Sequence, residues 1–539
     1  MKNSFLCALF VFAAGLFASL PLCVGWLSFL SFFALIPYLL LLFSQLLAQE
    51  RRSLAFYYRQ GMLFFLGFLI GVFHFFVAMY PMEFAGDFTT PVAVFVVAFA
   101  WLGLSFLYAL VYALLILALG ALSRLAAVRR FPLLLPFLFA AGFSVVEYLQ
   151  TLTWAGTPWG VYALTLADRA LLVAPASLLG AHFISFLLVL FNALLALCIL
   201  RFWKSRDRRR FLRAVSAVLL FFVLWCGVGG ILTLTRQKPN ETVRVAILQG
   251  NISSRDKWTL GSNSIQIFRR LALDAAKEGA TVMLWPETAI PSVLSEHSYY
   301  LDDLFDIAEE TNAIQIIGAF REGVDGDGND AEYNSLFVIY PDRTVKDVTY
   351  DKRHLVPFGE FVPFARLIET LVPPMAELMT RDPVTAGSDE PTVFHEDCGS
   401  FGGLICFDSI YGELARATVK GGAEVLLLAT NDSWFLESAA LRQHHAQAQL
   451  RAVETGRYVV RCGVTGISSV IDTRGQTVKT LPDNTCGYLV ADVPLCGDTT
   501  PFVYVGNLFV GLSALFLLSP AMYELTLYFL TKRRNQYAS

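Results

Sequence analysis

The sequence predicts a polytopic α-helical membrane protein, with about eight crossings, that carries one water-soluble α/β domain. Three observations predict it. Of 539 residues, 56% are hydrophobic and only 16% charged, with mean hydropathy +0.56; the 46 phenylalanines exceed what the interior of a soluble fold takes up. Apolar runs able to cross a hydrocarbon core, which takes about 20 helical residues, lie at 4–22, 25–48, 54–80, 90–123, 131–150, 171–200 and 211–235, with an eighth at 503–531. Between the last two, the text turns hydrophilic and alternates short β-branched runs with helical periodicity. The expected division is therefore 1–238 for seven helices, 239–502 for the soluble domain, and 503–539 for an eighth helix with a basic tail.

The junctions between runs set the expected orientation. Arg51 and Arg52 follow run two, Arg124, Arg129 and Arg130 run four, Arg201 to Arg213 run six, and Lys532, Arg533 and Arg534 run eight. The odd junctions carry Glu83 and Asp87, or Trp154 and Trp159, and almost no positive charge. Lys and Arg concentrate on the cytoplasmic side, so both ends of the chain are expected there and 239–502 outside. A cleaved signal peptide is the rival reading of 1–22, but no clear cleavage site precedes the next run.

Charge and motifs exclude several classes. A net charge of −3 offers no basic surface for phosphates, so no nucleic-acid partner is expected. The nine cysteines show no CxxC or Cys/His spacing, and HExxH, Walker A and GxSxG words are absent. His444 and His445 are adjacent on a predicted helix, where successive side chains diverge, so they do not share a metal. Gly323 to Asp330 resembles a calcium loop but has Asp330 where the sharp-turn glycine belongs, and reads as a hairpin tip. A disulfide among Cys398, Cys462, Cys486 and Cys496 stays open. Intramembrane Glu147, His74 and His182 are either functional or engaged in helix-to-helix hydrogen bonds.

In the soluble domain, 243–249, 281–285, 314–319, 335–340, 402–406, 425–429 and 458–462 read as strands, and 262–277, 300–311 and 438–455 as helices. Three strand ends bear polar residues in tight turns, where α/β sheets place their sites. In Trp285-Pro286-Glu287-Thr288-Ala289-Ile290-Pro291 a carboxylate follows a buried run; desolvation fits it for general-base work, although a lone turn glutamate is more often a cap. Tyr350-Asp351-Lys352-Arg353-His354-Leu355-Val356-Pro357-Phe358-Gly359-Glu360 runs a charged cluster into apolar chain. A lysine there can stabilise an oxyanion; the plain alternative is a surface salt bridge. Gly402-Gly403-Leu404-Ile405-Cys406-Phe407-Asp408 ends a strand in a thiol, a strong nucleophile once deprotonated and otherwise a small core residue. No histidine relay is expected beside it.

Together these words resemble, in order and context, the Glu-Lys-Cys triad of the nitrilase superfamily. More closely, the whole chain resembles the apolipoprotein N-acyltransferase family, as do Leu248-Gln249-Gly250-Asn251-Ile252, Lys257-Trp258, Thr430-Asn431-Asp432-Ser433-Trp434-Phe435, Pro158-Trp159-Gly160 and Glu147. The resemblance implies an extracytoplasmic αββα sandwich with Glu287 as base, Lys352 as oxyanion stabiliser, Cys406 as nucleophile and Glu360 as supporting acid. Trp258 and Trp434 would line the substrate pocket. Where the family reads Cys-Tyr-Glu this chain has Cys406-Phe407-Asp408, which keeps an aromatic and an acid but loses a hydroxyl and a methylene. It further implies a phospholipid acyl donor, a diacylated apolipoprotein acceptor, no metal or organic cofactor, a monomer, and a bacterial inner membrane with the catalytic domain facing the periplasm. The apolar stretch beyond Glu360, from Phe361 to Met379 with Pro363, Pro373 and Pro374, is too short and broken to cross a bilayer; it is expected to rest on the membrane surface as a lid, with ordinary core as the alternative.

Overall fold

The computed structural model describes residues 2–82, 89–152, 156–236, 239, 241–252, 263–365, 370 and 383–538. Glu83, Asp87, Trp154, Trp258 and most of the stretch expected to form a lid, including Leu371 and Val372, lie outside the described residues.

The N-terminal half is a helical bundle. In chain order it comprises α1 (Lys2–Cys23), α2 (Ile36–Leu46), α3 (Leu54–Val72), α4 (Thr90–Leu122), α5 (Leu134–Leu149), α6 (Ala181–Ser205) and α7 (Arg208–Thr235). 3-10 turns extend α2 and α3, so the apolar spans run Gly25–Leu46 and Leu54–Met79. Counting one C-terminal helix, seven helices of the described residues are long and apolar enough to cross a membrane. α5, the expected fifth crossing, has only 16 residues, or about 24 Å at 1.5 Å per residue. The run expected at 171–200 is broken as well: Pro175 and Gly180 divide it into short turns at Ala170–Val173 and Ala176–Leu179 before α6 begins. Gly180 sits at φ +82, and a Cβ there would lie 2.6 Å from the Phe502 ring. α1 and α3 cross closely: a Cβ on Gly15 would meet the Phe64 carbonyl oxygen at 2.0 Å, the close backbone approach that small residues allow between membrane helices.

The soluble domain is a sandwich of two six-stranded sheets. The strands are β1 (Thr242–Gln249), β2 (Val282–Leu284), β3 (Ile314–Val324), β4 (Asp330–Ile339), β5 (Tyr350–Asp351), β6 (Val393–Glu396), β7 (Gly399–Ile405), β8 (Val425–Thr430), β9 (Tyr458–Gly463), β10 (Ser469–Ile471), β11 (Thr477–Thr480) and β12 (Gly487–Pro494). Their orders are β12-β1-β2-β3-β4-β5 and β11-β10-β9-β8-β7-β6. The inner strands of each sheet are parallel and β12 returns antiparallel to β1, so the last strand of the domain completes the first sheet. β3 and β4 form a hairpin whose tip is held by Asp325 accepting the Asp327 and Asn329 N–H groups, as the sequence predicts.

Val245, Ile247, Leu284, Ile316, Leu336, Ile405, Leu427 and Val460 fill the space between the sheets. Helices α8 (Asn263–Lys277) and α9 (Leu301–Thr311) cover the first sheet with Phe268, Leu271 and Ile307. On the second sheet lie α10 (Gly412–Lys420) and α11 (Ala439–Thr455), and their core is continuous with that of the membrane helices. α11 is thus enclosed on both sides: every residue but Arg442 is buried, although it carries Gln443, His444, His445, Gln447, Gln449, Arg451 and Glu454. Buried polar groups need partners, and many of these pair across the domain junction. Gln443 accepts from Trp159 Nε1 at 2.7 Å, Gln447 donates to the Pro158 carbonyl at 2.8 Å, and Glu454 accepts from the Ala181 N–H at 2.7 Å. The final helix, α12, spans Leu508–Ala538.

Candidate active site

Three loops at the carboxyl ends of β2, β5 and β7 bring the expected residues together. Glu287 is 5% exposed and its loop is pressed against β3, where a Cβ on Gly318 would lie 2.4 Å from the Pro286 oxygen. Lys352 directly follows β5 and is 1% exposed. Its Nζ donates to Glu287 Oε1 at 2.9 Å and Glu360 Oε1 at 2.8 Å. Asn334 of β4 donates to the same two oxygens at 2.8 and 3.2 Å, and the Val356 N–H closes the ring at Glu360 Oε2, 2.9 Å away. Burial works against the Lys352 ammonium, but the carboxylates of Glu287 and Glu360 outweigh it and hold its pKa well above that of an ordinary lysine.

Cys406 follows β7 and opens a 3-10 turn over Cys406–Ile410. Its φ is +46, a left-handed value uncommon for a residue with a side chain and a mark of local strain. Burial, and then the Glu287 carboxylate, push its thiol well above the ordinary range, while Lys352 pulls the other way. A thiol in this setting is protonated at rest and needs a base at the moment of attack.

Asp408 acts beneath the site. Its Oδ1 accepts the N–H groups of Arg353 (3.2 Å) and His354 (2.8 Å), and its Oδ2 accepts from the Ile405 N–H (3.1 Å) and the Tyr350 hydroxyl (2.7 Å). It therefore fastens the lysine loop to the cysteine turn. Burial pushes its carboxyl up to about 6, with the His354 N–H and Lys352 holding it back. Phe407 faces the membrane helices, stacked on Trp159 at 6.4 Å and edge-on to Tyr411 at 5.7 Å. Trp434 is partly buried on the 3-10 turn Ser433–Phe435, whose Phe435 packs on Phe75 and Trp159 at 5.6 and 5.4 Å. The site thus abuts the bundle, and Trp159 forms part of its wall.

One expectation needs correction: a histidine does stand beside Cys406. The Cys406 thiol, the Asp432 carboxylate and a His444 ring nitrogen lie within 4.8 Å of one another. A trio of this kind resembles metal ligands, but the buried guanidinium of Arg461 donates to Asp432 Oδ2 and already supplies the positive charge, so the arrangement fits a hydrogen-bonded array better than a cation site. His445 points elsewhere, 3.0 Å from Ser469 Oγ. Asn334 and Arg461 were not singled out from the sequence, and His444 was weighed only as a metal ligand beside His445 and set aside. Asp432 stands in a family word, yet nothing in the text places it next to His444.

The other candidates lie apart from this cluster. Glu147 Oε1 accepts the Tyr162 N–H at 2.7 Å and its Oε2 lies 3.6 Å from His182 Nδ1, while His74 Nδ1 donates to the Gly71 carbonyl at 2.8 Å. Cys398, Cys462, Cys486 and Cys496 are free thiols.

Comparison with known proteins adds the family. The carbon-nitrogen hydrolase model matches residues 244–498, and the apolipoprotein N-acyltransferase N-terminal domain model matches 13–194. The apolipoprotein N-acyltransferase of Gloeobacter violaceus is 34% identical over 397 residues, covering 73% of this chain and 71% of its own. That of Haemophilus ducreyi is 30% identical over 391 residues, covering 70% and 74%. Among solved structures, Saccharomyces cerevisiae Nit3, a member of branch 10 of the nitrilase superfamily, is 20% identical over 48% of this chain and 91% of its own, with a TM-score of 0.36. With a nitrilase-like sandwich joined to apolar helices, and relatives matched across both parts, the chain belongs to the apolipoprotein N-acyltransferase family.

Proposed function

We propose that this protein moves a fatty acyl chain from a membrane phospholipid, through a thioester on Cys406, to the α-amino group of the diacylglyceryl-cysteine that begins an apolipoprotein, the last step of lipoprotein maturation. The observation that carries this reading is the buried Glu287–Lys352–Glu360 cluster, whose charges act on the Cys406 thiol, at the face where the sandwich meets the membrane helices.

As Sγ attacks the phospholipid ester carbonyl, Glu287 accepts its proton and Lys352 stabilises the oxyanion. Collapse breaks the ester C–O bond, and Glu287 returns the proton to the departing lysophospholipid oxygen. The acceptor amine then attacks the thioester, Glu287 takes its proton, and the thiolate leaves and is reprotonated. Glu360 holds Lys352 in place, and Asn334 orients both carboxylates. Every step is a proton transfer or acyl exchange, so no cofactor is called for.

The division at 1–238, 239–502 and 503–539, with the catalytic part on the periplasmic side of a bacterial inner membrane and the protein acting as a monomer, completes the proposal. Arg51, Arg52, Arg124, Arg129 and Arg201 gather around one cavity of about 500 Å³. That cavity lies at the start of α3, and the 3-10 turn Phe73–Met79 beyond its far end bears Phe75 against Phe435 of the catalytic domain. This charge asymmetry supports the orientation.

The test uses purified protein in phospholipid nanodiscs with acyl-labelled phospholipid and a diacylated lipopeptide. Label should appear first on the protein and then as amide on the peptide. Label released only to water would instead indicate a hydrolase, and no protein-bound label would overturn the thioester.

A further inference from the structure

We propose that His444 is a positioning residue for the nucleophile, and that with Asp432 and Arg461 it locks the Cys406 turn in its left-handed shape. The inference rests on Cys406 being the nucleophile. The backbone carbonyl of Cys406 accepts from Ser409 Oγ at 2.8 Å and lies 3.1 Å from His444 Nε2, which is itself 2.9 Å from Ser409 Oγ. On the other edge of the ring, His444 Nδ1 donates to Asp432 Oδ1 at 2.8 Å. Asp432 also accepts from Thr430 Oγ1 at 3.1 Å and from Arg461. Burial alone works against the Asp432 carboxylate, but His444 and Arg461 outweigh it and hold its pKa well below the ordinary range, so it stays an acceptor.

The array therefore begins on β9, passes the end of β8 and α11, and ends on the peptide of the nucleophile. Asp432 and Arg461 are wholly buried and His444 is 1% exposed, with the Trp159 ring 5.5 Å from the imidazole. The strain of a left-handed cysteine persists only where its surroundings over-determine it, and two donors on one carbonyl do that. One is Ser409 Oγ; the other is the N–H at His444 Nε2, in a ring that also donates from Nδ1 to Asp432, a doubly protonated imidazole whose charge Asp432 balances. Because the peptide is planar, pinning the Cys406 carbonyl also fixes the direction of the Phe407 N–H, a donor with no acceptor inside its own turn. His444 acts through the backbone: although a ring nitrogen lies within 4.8 Å of the thiol, the hydrogen bonds it makes on the cysteine's side are to the Cys406 carbonyl and Ser409, so its effect on the thiol is one of placement.

The experiment uses the full-length protein with His444→Ala, His444→Gln and Asp432→Asn. It reads kcat and KM for acyl transfer from phospholipid, and the rate at which iodoacetamide alkylates Cys406 as a function of pH. His444→Ala should lower kcat about 100-fold, the scale of a small misplacement of a reacting group, with KM little changed and the alkylation profile displaced along the pH axis. His444→Gln, which still presents a side-chain donor, should recover most of the rate. An unchanged profile and kcat in folded His444→Ala, or a rise in KM alone, would overturn the assignment; so would a glutamine variant no better than alanine. Should His444→Ala fail to fold, the isosteric Asp432→Asn decides: it should lower kcat and displace the profile, and wild-type behaviour there contradicts the lock. Alkylation reads the thiol even without acyl turnover, so a failure of the functional reading, seen as no turnover in the unaltered protein, is distinguishable from a failure of this one.

Discussion

Two buried charged clusters flank Cys406, and they are built differently. Glu287, Lys352 and Glu360 come from two loops, set two carboxylates against one ammonium, and share most of their hydrogen bonds among side chains, with the Val356 N–H on Glu360. Asp432, His444 and Arg461 come from the end of β8, α11 and β9, and their chain of bonds ends on a backbone carbonyl. The first has charge to spare for a proton in transit; the second is closed and holds a shape. Burial alone therefore does not identify a catalytic charge. What separates the two is that the first sets two carboxylates against one ammonium, whereas the second reaches the peptide of the nucleophile itself.

Substitutions can break or sharpen that contrast, beginning with the largest effect. Glu287→Gln should lower acyl transfer by about 10²–10⁴-fold, the usual contribution of a general base, with the protein still folded. Lys352→Met should cost about 10²–10³-fold in kcat, and by leaving two buried carboxylates without their cation it should also destabilise the fold by about 3–5 kcal/mol; thermal unfolding in detergent would record this. A Lys352 variant of full stability would mean the cluster is more solvated than its 1% exposure implies.

Asp408→Asn should act through stability first, by about 1–3 kcal/mol, since an amide nitrogen would face donors that now meet a carboxyl oxygen. Its pH dependence has a definite sign. The folded carboxyl is raised to about 6, against an ordinary 3.8, so the stability it contributes is fully present below about pH 4 and is lost as pH rises through 6. Unfolding midpoints measured from pH 4 to 7 should converge for the native protein and Asp408→Asn as pH rises; a gap that widens would contradict the raised pKa. At the small end, Lys277→Ala removes an exposed pairing with Asp274 on α8 and should change stability by less than about 0.5 kcal/mol, with no effect on turnover.

The same contrast explains what the sequence could disclose. Glu287, Lys352 and Cys406 each stand at or just beyond the end of a strand, inside a word of prolines, glycines and apolar residues; each word alone had a plainer reading, and the three together, through their resemblance to a known family, singled them out. His444 and Arg461 lie 12 and 29 residues from Asp432 on elements whose own patterns say nothing of each other. α11 was legible as a helix but not as a buried one, because nothing in its glutamines and charges announces their partners, which come from the bundle on one side and the sandwich on the other. β12 was missed for a related reason: its pairing with β1 spans the whole domain. The break at Pro175 and Gly180 was visible as residues, but an apolar run on both sides concealed it.

The most direct test of the account is the mass of the protein after exposure to phospholipid without acceptor. Intact and peptide-level mass spectrometry should find one acyl chain, removable by neutral hydroxylamine, on the peptide containing Cys406, and none in Cys406→Ser. An acyl adduct on another cysteine, or transfer to lipopeptide that continues at near-normal rate in Cys406→Ser, would contradict it.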